Sequence, residues 1–560
     1  MSGEWNPLLE SLVEGALEVQ GISKTDLCAY LVSVQGQRLF CTSKLRDNGR
    51  AERIANEDDG RIFPAWSLFK VFIAVAVSLM IEKLSLLPPD AWDRTFTEVF
   101  NHFSESVIII RPLDGDPTVK DLVFHFKGPC NINHLFLSPE GSPILSATAF
   151  LETIPQFTED AHQKHDTGQL EYSNGNYILL ALFIEFVSKQ PLAAFLKKHI
   201  FDPLGMDRTY MSTEELNSVP ADQRVQPNIV SSNSRGGPIP LPDQMPHLAD
   251  TVELAVMGAY TCLADLGKFF DKVIQGLHDE PDNTLFDRNF TKSLFQGKTK
   301  IDKTKDSGYS RFGIFTPLDE DFAGSHSLNR LLSSDGEFSK YTLGKTVDNK
   351  RIFAYYMAGC GTGWLHTVYF IPTKRTFIIV LTNTSGPCDA SDIVSRLYLQ
   401  KIFNLRPART DNRSIKFQPD TVEERTKHHI KLAHVAYQEN FHVYWNLEQK
   451  NAIQDTRSSD CTDAIGIFEN KRSRQSLEVK DLDGVLGVIL RGEGKISKPM
   501  RFVRKSKTFR ICSYPLGTSF LAIDCFGDWE TLEFSFEERN GKIFKFTRDG
   551  VNMEDEFIRK

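Results

Sequence analysis

The chain has 560 residues, of which 41% are hydrophobic and 25% charged, and its net charge is −8. That balance supplies a buried core and excludes a globally disordered chain. It also argues against nucleic-acid binding, because neither a basic balance nor a basic stripe is present. At roughly 150 residues per domain the length suggests two to four structural units. The nine cysteines (Cys28, Cys41, Cys130, Cys262, Cys360, Cys388, Cys461, Cys512 and Cys525) are odd in number and form no C-x-x-C pair. Reduced thiols in a cytoplasmic compartment fit that pattern better than a disulfide framework or zinc ribbon. Met1-Ser2-Gly3-Glu4-Trp5 shows no secretory pattern, and the apolar run Val71 to Ile81 is too short to span a bilayer. A cytoplasmic protein without membrane contact is expected.

In chain order, residues 6–20 carry an apolar stripe at helical spacing: Leu8, Leu9, Leu12, Val13 and Leu17. Residues 27–41 read as a hairpin turning at Gln35-Gly36-Gln37. Trp66 to Leu84 is apolar almost all round and reads as a central buried helix. A second long helix is expected over 175–200, before Asp202-Pro203-Leu204-Gly205-Met206. Residues 216–250, rich in Pro, Ser, Asn and Gly, read as a long loop of the kind that often binds ligands. Residues 353–357 and 366–383 look like adjacent strands. After about residue 408 a polar segment and a helix-like stretch, Val422 to Gln449, precede short alternating runs at 476–479, 485–490, 509–514, 520–523, 531–536 and 542–546. These predict a small antiparallel β domain, so the division expected is residues 1–408 and 409–560.

Three short elements carry chemistry. Ser67-Leu68-Phe69-Lys70 opens the buried helix, where residues three apart share a face. A buried lysine with a depressed pKa could take the serine proton, and helix-terminal N–H groups would favour developing negative charge. The plainer reading, a capping serine and a surface lysine, fits poorly beside Phe63-Pro64-Ala65-Trp66 and Val71-Phe72-Ile73-Ala74. Tyr172-Ser173-Asn174 precedes the second helix; its phenol could exchange protons with Lys70, and Asn174 could hydrogen-bond lysine and substrate. Tyr444-Trp445-Asn446 repeats the pattern but reads as an aromatic cluster on an amphipathic helix. Met357-Ala358-Gly359-Cys360-Gly361-Thr362-Gly363-Trp364 brings glycines onto a strand, permitting close backbone approach and an N–H donor for an oxyanion.

With these elements in place the chain resembles the serine β-lactamase-related family, which includes class C β-lactamases, penicillin-binding proteins, D-aminopeptidases, esterases and lovastatin acyltransferase. S-x-x-K is among that fold's motifs. Thr118 to Gly128 resembles its T-x-x-x-L-L-x-H-x-S-G segment, Glu171 to Leu180 its Y-S-N helix, Ile200 to Met206 its P-L-G-M turn, and Gly258 to Phe269 its G-G-L-x-S-T-x-x-D-L segment. The resemblance covers about residues 8–405. It implies an α/β (α+β) β-lactamase/transpeptidase-like fold: an antiparallel sheet flanked by helices, an all-helical subdomain, and a C-terminal lipocalin-like β domain. It further implies Ser67 as nucleophile, Lys70 as base and Tyr172 as second acid/base. Asn174, Gly359, Met357 and the N–H groups of Ser67 and Cys360 would surround the substrate and its oxyanion. His125 matches a structural family position, and His366 as a lone strand histidine reads as structural.

Where the family usually has Lys or His and then Thr or Ser, this chain has Met357 and Ala358. Neither can hold a carboxylate or relay a proton. A serine hydrolase or acyltransferase acting on an ester, amide or thioester of a small metabolite, in secondary metabolism, is therefore expected. The alternatives are a proton-transfer cyclase or isomerase using Tyr172 and Lys70, and a catalytically silent binding protein. No metal or organic cofactor is called for: H-E-x-x-H, a P-loop and G-x-G-x-x-G after a strand are all missing. The expected partner is the acyl substrate; the oligomeric state is not legible.

Overall fold

The computed structural model describes Val13 and residues 25–405 and 456–560, apart from 46–49, 105–108, 114, 130–132, 139–142, 163–171, 231–237, 242–250, 279, 281–283, 298, 302–304, 321–323, 328–342, 386–388, 494–495, 513–531 and 551–552. The helix expected at 6–20 (apart from Val13), the stretch 422–449, Tyr444-Trp445-Asn446, the run 520–523 and much of the 216–250 loop lie outside the described residues. The chain divides into two compact units. The first holds residues 1–75, 197–243 and 258–445; the second holds 76–196, 244–257 and 446–560.

The strands of the first unit used below are β1 (Leu27–Val34), β2 (Gln37–Leu45), β3 (Ala51–Ala55), β4 (Thr299–Lys300), β5 (Gly308–Ser310), β6 (Gly313–Pro317), β7 (Phe353–Gly361), β8 (Trp364–Ile371) and β9 (Thr376–Thr382). The principal helices of the chain are α1 (Lys70–Glu82), α2 (Ala147–His162), α3 (Asn174–Ser188), α4 (Leu263–Leu277) and α5 (Ala390–Phe403). The nine strands form one sheet in the order β3-β2-β1-β9-β8-β7-β6-β5-β4, antiparallel at each junction. The expected hairpin turns at Gln35 and Gly36, both at positive φ (52° and 84°), the left-handed pair that matches strand twist. The stretch expected as one strand over 366–383 is two. Pro372, which has no N–H for a ladder, opens a short helical turn, and Arg375 at φ 48° reverses the chain into β9.

Alternation along β1 places helices on both faces of the sheet. The Tyr30 hydroxyl accepts a hydrogen bond from Tyr398 of α5 at 3.1 Å, while Leu31, pointing the other way, meets Gly267 of α4. On the α5 face the Tyr369 hydroxyl donates to Asp392 at 3.0 Å, and Asp392 pairs with Arg396 at 2.8 Å, both nearly inaccessible to water. On the α4 face Phe270 packs on Phe370 and Phe377. That second face carries the serine.

The second unit combines helices α2 and α3 with a closed eight-stranded antiparallel barrel: β10 (Gly466–Asn470), β11 (Gln475–Leu482), β12 (Val485–Arg491), β13 (Met500–Lys505), β14 (Thr508–Cys512), β15 (Glu533–Arg539), β16 (Lys542–Gly550) and β17 (Met553–Arg559). Eight strands leave an interior that side chains fill. Here Phe468, Phe502, Phe509, Phe534, Phe546 and Phe557 fill it, joined by Ile144 from before α2. Four of these strands answer to runs seen in the sequence, and β15 largely to a fifth; β10, β13 and β17 do not. In β17 the inward position two before Phe557 is Asp555, buried against Arg548, so the polar–apolar alternation is invisible in the sequence. Among the described residues no single helix is long and apolar enough to cross a membrane.

Replacing Asp392 by Leu would take from the buried Arg396 guanidinium the carboxylate it pairs with. A loss of about 3–5 kcal/mol is expected in urea unfolding of the Asp392→Leu protein; a loss below about 1 kcal/mol would mean that the pair is not structural.

Candidate active site

Ser67 stands on a turn that is pinned from several sides. Phe63 and Pro64 pair with Tyr260 and Thr261, and the Ala65 N–H donates to the Ala259 carbonyl at 2.7 Å. His366 on β8 donates from Nε2 to the Pro64 carbonyl at 2.9 Å, while its Nδ1 accepts from the Thr382 N–H at 3.3 Å. These two bonds define a neutral ring, and burial lowers its pKa to about 4. The structure makes His366 a clamp on the segment that leads to the serine.

Trp66 then adopts a left-handed φ of 49°. For a bulky residue this costs about 1–2 kcal/mol and needs strong support from its surroundings. Its indole lies against Gly361 so closely that a Cβ there would sit 2.1 Å from the ring. A Cβ at Gly359 would stand 2.8 Å from the Ala65 carbonyl oxygen. Glycines in β7 are thus what lets this strand lie along the serine turn.

The expected helix over 66–84 begins as a 3₁₀ turn, Trp66–Phe69, and becomes α1 at Lys70. Lys70 Nζ is 3.1 Å from Ser67 Oγ in hydrogen-bond geometry. Ser67 is half-buried and Lys70 only 5% exposed. Loss of water around the amine lowers its pKa to about 7. A neutral amine at this distance can accept the hydroxyl proton, leaving an alkoxide-like nucleophile.

The third expected element is on β7. Strand alternation puts Met357, Gly359 and Gly361 on the face of the serine turn, and Ala358 and Cys360 on the other. Met357 is buried, close to Gly313 at the start of β6. The Cys360 side chain is exposed on the opposite face, so any part it takes beside Ser67 belongs to its backbone. Pairing of β6 with β7 ends at Tyr356, ahead of this segment.

Tyr172 and Asn174 belong to the second unit. The Tyr172 ring stacks obliquely on His125, centroids 4.6 Å apart, and Tyr177 lies 5.1 Å from the same imidazole. His125 Nδ1 accepts from the Ser173 N–H at 3.1 Å. Ser173 caps α3 by accepting from the Asn176 N–H at 3.4 Å. Asn176 donates to the carbonyls of Leu122 and Lys127, and the Tyr177 hydroxyl to Val123. The 118–128 segment therefore grips the start of α3, and His125 orients Tyr172. Asn174 is buried; its Nδ2 donates to Asn133 Oδ1 at 3.0 Å, and its Oδ1 has no hydrogen-bond partner among the described residues.

Sequence reasoning did not find Asn133, because Asn133-His134-Leu135 matches no motif and its relation to Asn174 exists only in three dimensions. It also missed the left-handed Trp66; the strand glycines were read as room for a ligand, and the structure shows that Gly361 also makes room for the Trp66 ring.

A family model described as Beta-lactamase matches residues 111–400, just over half of the chain. The match takes in Tyr172, Asn174 and the 357–363 strand but begins after Ser67 and Lys70. No curated protein matches the chain. Among solved structures, the octameric penicillin-binding protein homologue from Pyrococcus abyssi is similar at 17% identity and a TM-score of 0.52, over 98% of this chain and 99% of that one. At that identity the likeness concerns the fold. A β-lactamase from Sulfitobacter sp. EE-36 aligns at 16% identity and TM-score 0.49, over 72% of this chain and 99% of its own. A D-amino acid amidase from Ochrobactrum anthropi SV3 aligns at 16% identity and TM-score 0.46, over 70% and 96%.

The clamp histidine ties stability to pH. His366 ordinarily titrates near 6.5 when unfolded and near 4 when folded, so the unfolded chain binds more protons between those values. The neutral clamp's contribution, on the order of 3 kcal/mol, is complete above pH 6.5 and is lost as pH falls toward 4. Buried His134, whose pKa burial also depresses, adds in the same direction. The urea midpoint should fall between pH 6.5 and 4.5, and by less in His366→Gln, which keeps a donor for Pro64. Equal falls in the two proteins would show that another group is responsible.

Proposed function

This chain belongs to the β-lactamase family, and we propose that it is a serine hydrolase or acyltransferase working through an acyl-Ser67 intermediate. The observation that carries the reading is the dry contact between Lys70 Nζ and Ser67 Oγ at 3.1 Å, with the amine's pKa near 7. Ser67 Oγ attacks the acyl carbon as its proton passes to the Lys70 amine. The carbonyl oxygen gains the negative charge and takes hydrogen bonds from the N–H groups of Ser67 and Cys360. The close approach of β7 at Gly359 supports that assignment. Tyr172 is the second acid/base: it returns a proton to the leaving group as the tetrahedral intermediate collapses, with Asn174 hydrogen-bonding beside it. Water or a second nucleophile then attacks acyl-Ser67 and regenerates the hydroxyl.

Met357, on the serine's face of β7, points to the substrate class. Its buried thioether offers nothing to a carboxylate, and a carboxylate brought against it would lose its hydration without compensation. The acyl donor is therefore an ester, amide or thioester of a small metabolite that presents an apolar group here. This separates the chain from enzymes of the same fold that act on carboxylate-bearing β-lactams and D-alanyl peptides.

Incubation with a serine-reactive phosphonate should add one equivalent of mass, mapping to Ser67, and Ser67→Ala should remain unmodified. A folded native protein that takes up no label would overturn the acyl-enzyme reading. Because the neutral lysine is the base, the labelling rate should rise with pH through a midpoint near 7. Lys70→Arg, which stays protonated, should lose about 10²–10⁴-fold in rate. A rate flat from pH 5.5 to 8.5 would remove Lys70 from the base role.

A further inference from the structure

The Asn133–Leu135 turn is held by the barrel. It is a single 3₁₀ turn, too short to satisfy its own carbonyl groups. Arg548, fully buried on β16, donates to the His134 carbonyl at 3.2 Å. Gln475 on β11 donates from Nε2 to the Leu135 carbonyl at 2.5 Å and accepts from Arg548 at 3.1 Å. Asp555 on β17 pairs with Arg548 and takes the Asn470 amide. The same segment is anchored again where Ile144 enters the barrel core and its carbonyl lies flush against Gly492. Arg472 and Arg474 grip α2 through the Gln156 carbonyl at 2.6 Å and Glu152 at 2.5 Å.

The first residue of this turn is Asn133, whose Oδ1 holds the Asn174 amide. Asn133, His134, Gln475, Arg548 and Asp555 are each no more than 5% exposed. A buried ion pair costs more desolvation than it returns unless its hydrogen bonds are all used. A barrel core already filled by phenylalanines has no need of one for stability. Its placement makes sense as a rigid, directional donor aimed at one turn.

We propose that Arg548 and Gln475 are positioning residues for Asn174, so that the barrel sets the geometry of the Tyr172–Asn174 element through Asn133. This rests on the reading of that element as part of the acyl-transfer machinery. Removing the clasp lets the turn drift, Asn133 releases Asn174, and the start of α3 loosens.

The test uses the full chain with Arg548→Met and Asp555→Leu together, so that no buried charge is left alone, beside Gln475→Met, Asn174→Ala and the combination of clasp and Asn174 changes. Two quantities are read: hydrogen exchange of peptides covering 172–180, and the second-order rate at which a fluorophosphonate labels Ser67. The clasp variants should keep native far-ultraviolet dichroism, exchange faster over 172–180, and label about tenfold more slowly, as a misplacement near 1 Å would cause. Adding Asn174→Ala to a clasp variant should bring no further loss, because both act through one side chain. Native exchange over 172–180 in folded clasp variants would overturn the proposal, as would fully additive losses in labelling. Faster exchange with a native labelling rate, in clasp variants and Asn174→Ala alike, would uphold the mechanical link and instead overturn the role of Asn174 in acyl transfer. Gln475→Met keeps the ion pair, so the same exchange change there excludes loss of the salt bridge as its cause.

Discussion

A lysine side chain next to a serine is chemically idle while it holds its proton, and water keeps it protonated to well above neutral pH. Burial of Lys70 changes that. The residues around it, Phe69, Phe72, Ile73 and Ala74, leave almost no surface to solvent. An ammonium there would forgo its hydration, so the neutral amine becomes accessible near pH 7. The same burial demands that the serine be delivered to the dry amine by backbone geometry, since no mobile surface loop could hold it there. The left-handed Trp66, the His366 clamp and the glycines of β7 are the means. Strain at Trp66 is offset by an indole that fits against Gly361 and a backbone bonded on either side.

The sheet makes this arrangement possible by its order. β1 lies between β2 and β9, joining the start of the chain to its 376–382 segment, and β8 stands beside β9. His366 reaches Pro64 only because β8 occupies that position with even-numbered residues facing α4. A register slip of one residue would send the imidazole to the α5 face, among Asp392 and Arg396. The deep polar network on the α5 face gives β8 a directional partner, through Tyr369 with Asp392 and Thr367 with Ser391, that discriminates between registers, which apolar packing alone would not.

The second unit solves a different problem. Tyr172 and Asn174 stand at the start of α3, where backbone groups outnumber intrahelical partners. Side-chain amides and one imidazole bridge the gap: Asn176 caps two carbonyls, His125 takes the Ser173 N–H, and Asn133 takes Asn174. The barrel continues the pattern with Gln475 and Arg548. Neutral amides and one buried ion pair, Arg548 with Asp555, hold these segments without adding net charge.

Local chemistry made much of this readable in advance. Ser67 and Lys70, Tyr172 and Asn174, and the glycines of β7 stand in short stretches whose spacing has chemical meaning, and the hairpin at Gln35-Gly36 follows from residue type. The barrel showed itself in the alternating runs that became β11, β12, β14, β16 and most of β15, was missed at β10 and β13, and disappeared from view where β17 turns Asp555 inward. Met357 and Ala358 were legible as departures from a pattern, and the structure adds that Met357 is buried on the serine's face of the sheet. What sequence could not determine was every relation between residues far apart in the chain: His366 with Pro64, Gly361 with the Trp66 ring, Asn133 with Asn174, Arg548 with His134. The physical reason is the same in each case. Periodicity and motif spacing report forces that act along one or two turns of chain, whereas these contacts exist only once register, burial and loop closure have brought separate segments within hydrogen-bonding distance.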